Sequence, residues 1–476
     1  MLQAVENILW WLVLIGVMIM IHELGHFWAA RFFDVKVETF SFGFGPRLFG
    51  FRRGDTDYRV SAVPFGGYVK MAGEQFADET GKRSDIPGYT TLTGGALGPA
   101  TGQLPAVQLE SGNPDDPRSL LNKPRWQRLI IALAGPFMNV VLAVALLAGL
   151  YMVKFEKVSD ADLEAFIGHV VPDSPAAKAG LQDGDEIVGL DGHKNPTWED
   201  IGLKEIASAG RSMHLTINRA GKVFQTTVVP VYNDRLGMGY AGWDERGEIQ
   251  IGEVEPNFPA ERAGMKRGDL IVAVNGQPIH SNLKFQEIIK GSGGKPVTVD
   301  FKRKGKPLTV VIQPVYAKVD APAKWMIGVQ PQPKLNLITT RLPLPEAVAE
   351  SVRQNEKGAL LIAEVLQGML EHRVSTKTIT GPIALGQIAG EAAREGPSTY
   401  FQVMSMVSLN LAIFNLLPIP ILDGGSILML LVEIVMQRDL SINVKEAVFK
   451  VGFVFIMVIM AFVIFNDISK LVLPPG

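Results

Sequence analysis

The sequence predicts a polytopic α-helical membrane protein with four transmembrane segments and a β-rich extracytoplasmic part. Three observations support this prediction. Apolar residues are concentrated in four long runs, a long polar stretch separates the second run from the third, and one sequence block occurs twice within that stretch. A net charge of −2 without any Lys/Arg-rich run gives no sign of a nucleic-acid partner.

The four apolar runs are each long enough to cross a bilayer. They cover residues 7–28, 129–153, 401–432 and 448–465, and we assign the transmembrane regions to 1–33, 124–153, 399–434 and 447–470. No basic stretch precedes the first run, so we predict a retained membrane segment and not a cleaved signal peptide.

Lys and Arg residues near the membrane segments predict the orientation. Basic residues follow the first segment and precede the second, at positions 31, 36, 47, 123, 125 and 128. Region 34–123 is therefore predicted to be a cytoplasmic loop, and 435–446 a second one. The stretch 154–399 is then extracytoplasmic.

The extracytoplasmic stretch contains a duplication. "IGHVVPDSPAAKAGLQDGDEIVGLDG" begins at Ile167, and "IGEVEPNFPAERAGMKRGDLIVAVNG" begins at Ile251, an offset of 84 that persists without a gap. Both copies, assigned to 154–235 and 236–320, resemble circularly permuted bacterial PDZ domains. This resemblance implies capture of an extended peptide or chain terminus at a sheet edge. The alternative is a pair of spacer domains that bind nothing.

Region 340–398 contains a predicted amphipathic helix and a Gly/Pro-punctuated connector. Apolar residues recur at helical spacing at Val348, Val352, Ile362, Leu366 and Leu370. Such a helix either packs on a domain or lies on the membrane surface.

The first membrane segment contains the motif His22-Glu23-Leu24-Gly25-His26. Residues four apart share a helix face, so His22 and His26 can present imidazoles to one metal ion, with Glu23 beside them as an acid/base. This is the zinc-peptidase pattern. Ionisable groups inside a membrane are costly and by default functional. The alternative is a polar cap at the membrane edge.

A third ligand is needed, because catalytic zinc usually has three protein ligands. Cysteine is absent, and the other five histidines lie in the extracytoplasmic stretch. Asp423 is the only charged residue in its apolar run. Pro418 and Pro420 predict that the helix breaks just before it, and Gly424 and Gly425 permit a tight turn. The alternative is a kinked helix with a snorkelling aspartate.

Several motifs in their order resemble the site-2 protease family of zinc intramembrane metalloproteases, of the bacterial regulator-of-sigma-E type with tandem PDZ domains. They are HELGH, "FSFGFGP", "YRVSAVPFGGYVKM", "AGPFMN" and "FNLLPIPILDGG". The resemblance implies that His22, His26 and Asp423 bind Zn²⁺ and that Glu23 is the catalytic acid/base. Ser426 departs from the histidine that usually follows Asp-Gly-Gly in this family.

The resemblance also implies substrate contacts. Asn415 matches a membrane asparagine that holds the substrate backbone, and a membrane-associated β-hairpin at about 56–71 would pair with an unwound substrate. Its candidate contact residues are Val60, Gly66, Gly67 and Tyr68. Asn139 is a further candidate for substrate or oxyanion binding, or is a helix-packing amide.

The predicted function is zinc-dependent endoproteolysis within the transmembrane segments of single-pass membrane proteins, such as anti-sigma factors or remnant signal peptides. The PDZ domains would filter substrates. The predicted location is the bacterial inner membrane, with periplasmic PDZ domains and an active site near the cytoplasmic side. One alternative is a PDZ scaffold with an inactive metal site. Another is a metal carrier, although carriers repeat intramembrane polar ligands across many helices.

Overall fold

The computed structural model describes residues 2–73, 116–158, 164–233, 237–317, 323–334, 336–375 and 380–472. The chain divides into two compact units. The helical unit comprises Met1–Val153, Arg341–Leu360 and Thr380–Ile468, and the β-rich unit comprises Lys154–Thr340, Leu361–Ile379 and Ser469–Gly476. Within the predicted cytoplasmic loop 34–123, residues 74–115 lie outside the described part.

The N-terminal part of the helical unit consists of two long helices with a hairpin between them. Its elements are α1 (Leu2–Phe32), β1 (Val37–Arg53), β2 (Thr56–Met71), a 3-10 turn (Leu120–Asn122) and α2 (Arg125–Val153). Pro136 lies inside α2. The hairpin packs on the end of α1 and the start of α2 through Ala30, Val37, Val69 and Ile131.

The hairpin differs from its prediction, because 56–71 forms a single long strand whose partner is Val37–Arg53. The pairing is doubled: Phe40 lies opposite both Val69 and Tyr58. Residues 39–42 are therefore central, with 57–60 on one side and 67–70 on the other. Alternation of apolar and polar residues alone does not reveal such a bend.

The β-rich unit begins with the first repeat domain. The strand β3 (Phe155–Val158) precedes it and pairs with β20 (Leu337–Thr340). The first repeat domain has β4 (Ile167–Val170), α3 (Pro175–Lys178), β5 (Glu186–Leu190), β6 (His193–Lys194), α4 (Trp198–Ala207), β7 (Met213–Arg219), β8 (Lys222–Val228), β9 (Val231–Asn233), β10 (Met238–Tyr240) and β11 (Trp243–Glu245). Its sheet order is β6-β5-β7-β8, and the pairs β11-β4 and β10-β9 are separate.

The second repeat domain follows after two residues. Its elements are β12 (Glu248–Val254), α5 (Pro259–Arg262), β13 (Leu270–Val274), β14 (Gln277–Pro278), α6 (Asn282–Gly291), β15 (Val297–Arg303), β16 (Lys306–Ile312), β17 (Val315–Ala317), β18 (Lys324–Met326) and β19 (Val329–Lys334). Its main sheet has the order β16-β15-β13-β12-β19, β14 pairs with β13, and β17 pairs with β18.

The duplication extends to individual ion pairs. Arg219 donates to Asp185 and to the carbonyl of Gly180, and Arg303 donates to Asp269 and to the carbonyl of Gly264. Each arginine lies 84 residues from its counterpart. The predicted duplication is therefore confirmed.

The predicted boundaries of the two copies, 235/236 and 320, fall too early. Ala241 and Trp243 lie in the core of the first repeat domain, and Ile327 lies in the core of the second. The reason is that, in each repeat domain, the chain returns after the β-hairpin and adds one more strand to the same domain.

The C-terminal part contains five helices among the described residues: α7 (Leu344–Leu370), α8 (Pro382–Glu395), α9 (Pro397–Leu416), α10 (Asp423–Met436) and α11 (Ile442–Val472). The predicted amphipathic helix corresponds to α7. Its Val348 and Val352 are exposed, whereas Ala347 and Ser351 are fully buried.

Three described helices are long and apolar enough to cross a membrane: Ala4–Phe32, Arg125–Val153 and Asn443–Ser469. The predicted third segment, 399–434, is not one of them, and it is divided between α9 and α10. The predicted break before Asp423 is thus confirmed, while a fourth continuous span is not seen.

Candidate active site

His22 and His26 lie one turn apart on α1, on the same face. Their Nε2 atoms are 3.2 Å apart, and the residues are 0% and 2% exposed. The spacing of four residues in a helix brings the two imidazoles together, as the sequence predicts. Glu23 follows His22 and is 1% exposed.

Asp423 reaches the histidine pair from the first turn of α10. Its Oδ2 lies 3.0 Å from His22 Nε2, and its Oδ1 lies 3.6 Å from His26 Nε2. One ligand atom from each residue lies within 4.8 Å of the others, and among the described residues this is the group that could hold a metal ion. The structure therefore brings together the three predicted ligands.

The break between α9 and α10 places Asp423 at this position. Two glycines pack on backbone carbonyls of the break: a Cβ on Gly424 would lie 2.1 Å from Leu417 O, and one on Gly425 would lie 2.5 Å from Ile419 O. Ile421 has a φ of 88°, an uncommon conformation for a β-branched residue. The turn is therefore tight, and side chains at positions 424 and 425 would prevent it.

The helix α2 lies against the histidines. His26 Nδ1 is 2.7 Å from the carbonyl of Ile131, and His22 Nδ1 is 3.2 Å from the side-chain nitrogen of Asn139. Between them, a Cβ on Gly135 would lie 2.2 Å from His26 Nε2 and 2.7 Å from His22 Nε2. Gly135 thus leaves open the space that the ligand nitrogens face.

The hairpin passes beside the candidate acid/base. A Cβ on Gly67 would lie 3.2 Å from Glu23 Cγ. Among the described residues, Gly67 pairs only with Phe42 and Tyr68 only with Ser41, so their segment is a free edge of this sheet as described. Val60 instead lies opposite both Phe42 and Phe49, so it does not lie at an edge of this sheet.

The two candidate asparagines are both buried. Asn139 is 0% exposed and Asn415 is 2% exposed. Within the part of the chain that the structure describes, Asn139 Oδ1 and Asn415 Nδ2 have no hydrogen-bond partner. The structure places Asn139 on His22, which the sequence analysis did not predict, and it leaves an amide donor of Asn415 available.

Sequence reasoning missed two groups of this site, Gly135 and the carbonyl of Ile131. A carbonyl has no side-chain signature. The spacing of Ile131, Gly135 and Asn139, four residues apart on one helix face, is the signal that was available.

A family model for peptidase family M50 matches residues 10–459. The chain belongs to peptidase family M50. The predicted resemblance to a family of zinc metalloproteases, and the prediction that this protein is an enzyme of that class, are thereby confirmed.

Curated relatives match over the full length. The regulator of sigma-E protease RseP of Salmonella typhimurium is 29% identical over 99% of this chain and 100% of its own. RseP of Escherichia coli is 27% identical, and a putative zinc metalloprotease of Vibrio cholerae is 28% identical, each over 99% of this chain and 100% of its own. Among solved structures, a PDZ domain of an SdrC-like protein from Listeria monocytogenes is similar to part of this chain, at 23% identity. The match covers 18% of this chain and 87% of that structure, with a TM-score of 0.16, too low to support a fold argument.

Proposed function

We propose that this protein is a zinc-dependent endopeptidase that cleaves single-pass membrane proteins within their transmembrane segments. The observation that carries the proposal is the buried group of His22, His26 and Asp423, with Glu23 on the same helix. Burying these ionisable groups together costs free energy, and such a cost is tolerated mainly where a function requires the groups. The family makes that function peptide-bond hydrolysis.

The residues present fit a zinc ion. Two imidazoles and one carboxylate form a donor set that zinc accepts, with a fourth position left open. His26 donates from Nδ1 to the carbonyl of Ile131, which leaves Nε2 unprotonated for a metal. Gly135 keeps the facing space free of side-chain atoms. Bound zinc would polarise the scissile carbonyl as a Lewis acid.

Glu23 supplies the proton transfers of the proposed reaction. Its carboxylate takes a proton from the attacking water as the new C–O bond forms. It then gives that proton to the leaving nitrogen as the C–N bond breaks. Glu23 directly follows His22 on α1, so the helix backbone sets its position relative to the two candidate histidine ligands.

The free edge at 67–70 would hold the substrate backbone. A transmembrane helix must unwind before a protease can reach its carbonyls, and unwinding breaks its internal hydrogen bonds. Pairing with the edge at Gly67 and Tyr68 would replace those bonds next to Glu23. The unpartnered amide nitrogen of Asn415 would donate to a substrate carbonyl. Gly66, with a φ of 101°, bends the strand just before this edge.

The two repeat domains would act as a substrate filter, with different tasks. In the second, a groove opens between α6 and the strands β18 and β19. It is lined by Phe285, Ile289, Lys290, Trp325, Met326 and Gln330. An extended peptide with an apolar segment fits such a groove as an added strand.

In the first repeat domain, the corresponding position is filled from within. Glu205 takes the place of Ile289 at the repeat offset, and its carboxylate accepts hydrogen bonds from Ala241 N at 2.6 Å and Trp243 Nε1 at 2.8 Å. Gly239 lies against α4, where a Cβ would be 2.1 Å from the carbonyl oxygen of Glu205. We infer that the groove of the second repeat domain binds a substrate peptide, whereas the first repeat domain does not.

The proposed location is the bacterial inner membrane, with the repeat domains in the periplasm and the active site near the cytoplasmic side. The basic residues around the first loop and the relatives named as sigma-E regulators support this placement. Anti-sigma factors and remnant signal peptides are the proposed substrates.

The proposal is tested with purified protein and a tagged single-pass membrane substrate whose outer domain has been trimmed. Wild type, Glu23→Gln and the control Glu6→Gln are assayed for cleavage and zinc content. We expect Glu23→Gln to keep its zinc and lose cleavage, while Glu6→Gln cleaves normally. If wild type binds zinc but cuts no substrate of a panel, a scaffold is favoured. Zinc flux across vesicles would instead favour a carrier.

A further inference from the structure

Asn139 is more closely connected to the candidate metal site than to a substrate path. It is fully buried, and its amide lies 3.2 Å from His22 Nδ1. Its backbone carbonyl accepts a hydrogen bond from Ser408 Oγ at 2.8 Å, and Ser405 Oγ donates to Ala143 O at 2.9 Å. Two bonds from α9 therefore fix this part of α2, and the amide cannot move far from His22.

The protonation of His22 decides which amide atom faces it. A neutral imidazole carries one proton, so a histidine that binds a metal through Nε2 carries its proton on Nδ1. That proton needs an acceptor, and the Asn139 amide, which contacts Nδ1 at 3.2 Å, can supply its oxygen. The amide then presents Oδ1 to His22, which requires a rotation of the amide group by half a turn. Nδ2 takes the position where Oδ1 now lacks a partner.

The face of α2 repeats the geometry of the histidine pair. Ile131 O accepts from His26 Nδ1, and Asn139 takes the corresponding place at His22 eight residues later. Gly135 lies midway between them and leaves room for the Nε2 atoms. Residues spaced by four on α2 thus face residues spaced by four on α1, so that each imidazole has a polar group of α2 beside its Nδ1 atom.

We propose that Asn139 is a positioning residue for the metal: its side-chain oxygen holds the proton of His22 on Nδ1 and directs Nε2 toward the ion. This inference rests on the proposed zinc site. Acceptors behind metal-binding histidines fix the tautomer and the ring orientation, and their loss typically costs about 10–100-fold in metal affinity or activity.

The test measures metal affinity directly. The full-length protein is stripped of metal, and its zinc dissociation constant is determined by competition with a chromophoric chelator. Asn139→Leu removes the acceptor at similar volume, and we expect zinc affinity to fall by about 10–100-fold. Asn139→Asp keeps an acceptor oxygen, and we expect an affinity close to wild type. Cobalt absorption bands of each variant report the ligand geometry.

Asn415→Leu is the matched control. It removes an equally buried amide that has no hydrogen bond to a histidine. We expect it to keep wild-type zinc affinity and to lose cleavage at saturating zinc. Thermal melting of all variants shows whether an affinity change reflects loss of the fold.

The inference would be overturned by wild-type zinc affinity in folded Asn139→Leu, or by an equal loss in Asn139→Asp and Asn139→Leu. Absence of zinc binding by the wild type would overturn it as well. The proposed function fails differently, if the wild type binds zinc and cleaves nothing. In that case the affinity series still decides the role of Asn139.

Discussion

Gly135 and His26 lie so close that no side chain fits between them. A Cβ on Gly135 would be 2.2 Å from His26 Nε2, well inside van der Waals contact. Because Nε2 is the atom that faces the proposed metal, this glycine keeps free the space that the metal would occupy.

The first prediction concerns this contact. Gly135→Ala adds one methyl group at the ligand nitrogens, and we expect zinc affinity to fall by at least about tenfold, equivalent to about 1.4 kcal/mol. Equilibrium titration with zinc measures it. Gly149→Ala is the control, since it lies on the same helix and a Cβ there meets nothing within 4 Å. Equal affinities in the two variants would contradict the prediction.

The sequence predicted the parts of the site that follow from local geometry. Helical periodicity brings His22 and His26 together, and the prolines before Asp423 end α9 in the expected place. The repeat offset of 84 gave the duplication, since equal spacing needs no knowledge of tertiary structure.

The remaining features depend on long-range pairing. The register of the hairpin, with Val60 in the interior of the sheet, depends on how the two long strands bend. The residues next to Val60 in the sequence do not indicate this register. The group that accepts the hydrogen bond from His26 is the backbone carbonyl of Ile131, and no side chain indicates this role in the sequence. Glu205 fills the groove position of the first repeat domain through hydrogen bonds to Ala241 and Trp243, and only the folded structure brings these residues together.

The second prediction concerns the free edge of the hairpin. In Gly67→Ala the Cβ would lie 2.9 Å from Ser41 O and 3.2 Å from Glu23 Cγ, so the edge must shift. We expect slower cleavage with unchanged zinc content, because no candidate ligand moves. Steady-state cleavage and metal analysis of the same samples measure both.

Gly54→Ala is the control for the hairpin. A Cβ at this turn meets nothing within 4 Å, and its φ of 62° costs an alanine about 1–2 kcal/mol. If Gly54→Ala slows cleavage as much as Gly67→Ala, general destabilisation of the hairpin explains both results, and the edge is not a substrate site.

The third prediction concerns Glu205 in the first repeat domain. Glu205→Ala leaves Ala241 N and Trp243 Nε1 without their acceptor, and we expect this domain to lose about 1–3 kcal/mol of stability. Hydrogen exchange of β11 in the full-length protein measures the loss. Glu199→Ala, an exposed acid in the first turn of α4, is the control.

Glu205 also gives a pH dependence. Burial raises the pKa of Glu205 more than the hydrogen bonds from Ala241 and Trp243 lower it. Its protonated form is therefore favoured by folding. The corresponding stability is fully present below the unfolded pKa, about 4.3, and is lost as pH rises through the raised folded pKa. Glu205→Ala should lack this decline, and a parallel decline in the variant would show that another group causes it.

The fourth prediction concerns Asp467 on α11, which caps a distant helix. Its carboxylate is 2% exposed and accepts from the backbone nitrogens of Gly381 and Ile383, each at 3.0 Å, and of Ala384 at 3.1 Å. These nitrogens lie at the start of α8, where a negative charge also favours the helix dipole. Gly381 is required here, because a Cβ would lie 2.4 Å from Asp467 Oδ2, a contact that only glycine avoids.

Asp467→Asn removes the negative charge and can direct amide hydrogens at the backbone N–H groups of α8, which are donors themselves. We therefore expect the stability to fall by about 1–3 kcal/mol. The helix α8 packs on α1 through Ala389 and Ala392, in one cluster with Leu14 and Met18. This contact lies away from the candidate ligands, so zinc affinity should stay at the wild-type value while the melting temperature in detergent falls. Glu391→Gln, an exposed acid on α8, should change neither quantity. An unchanged melting temperature in Asp467→Asn would show that solvent satisfies these nitrogens, and a loss of zinc affinity would show that α8 also supports the histidine face of α1.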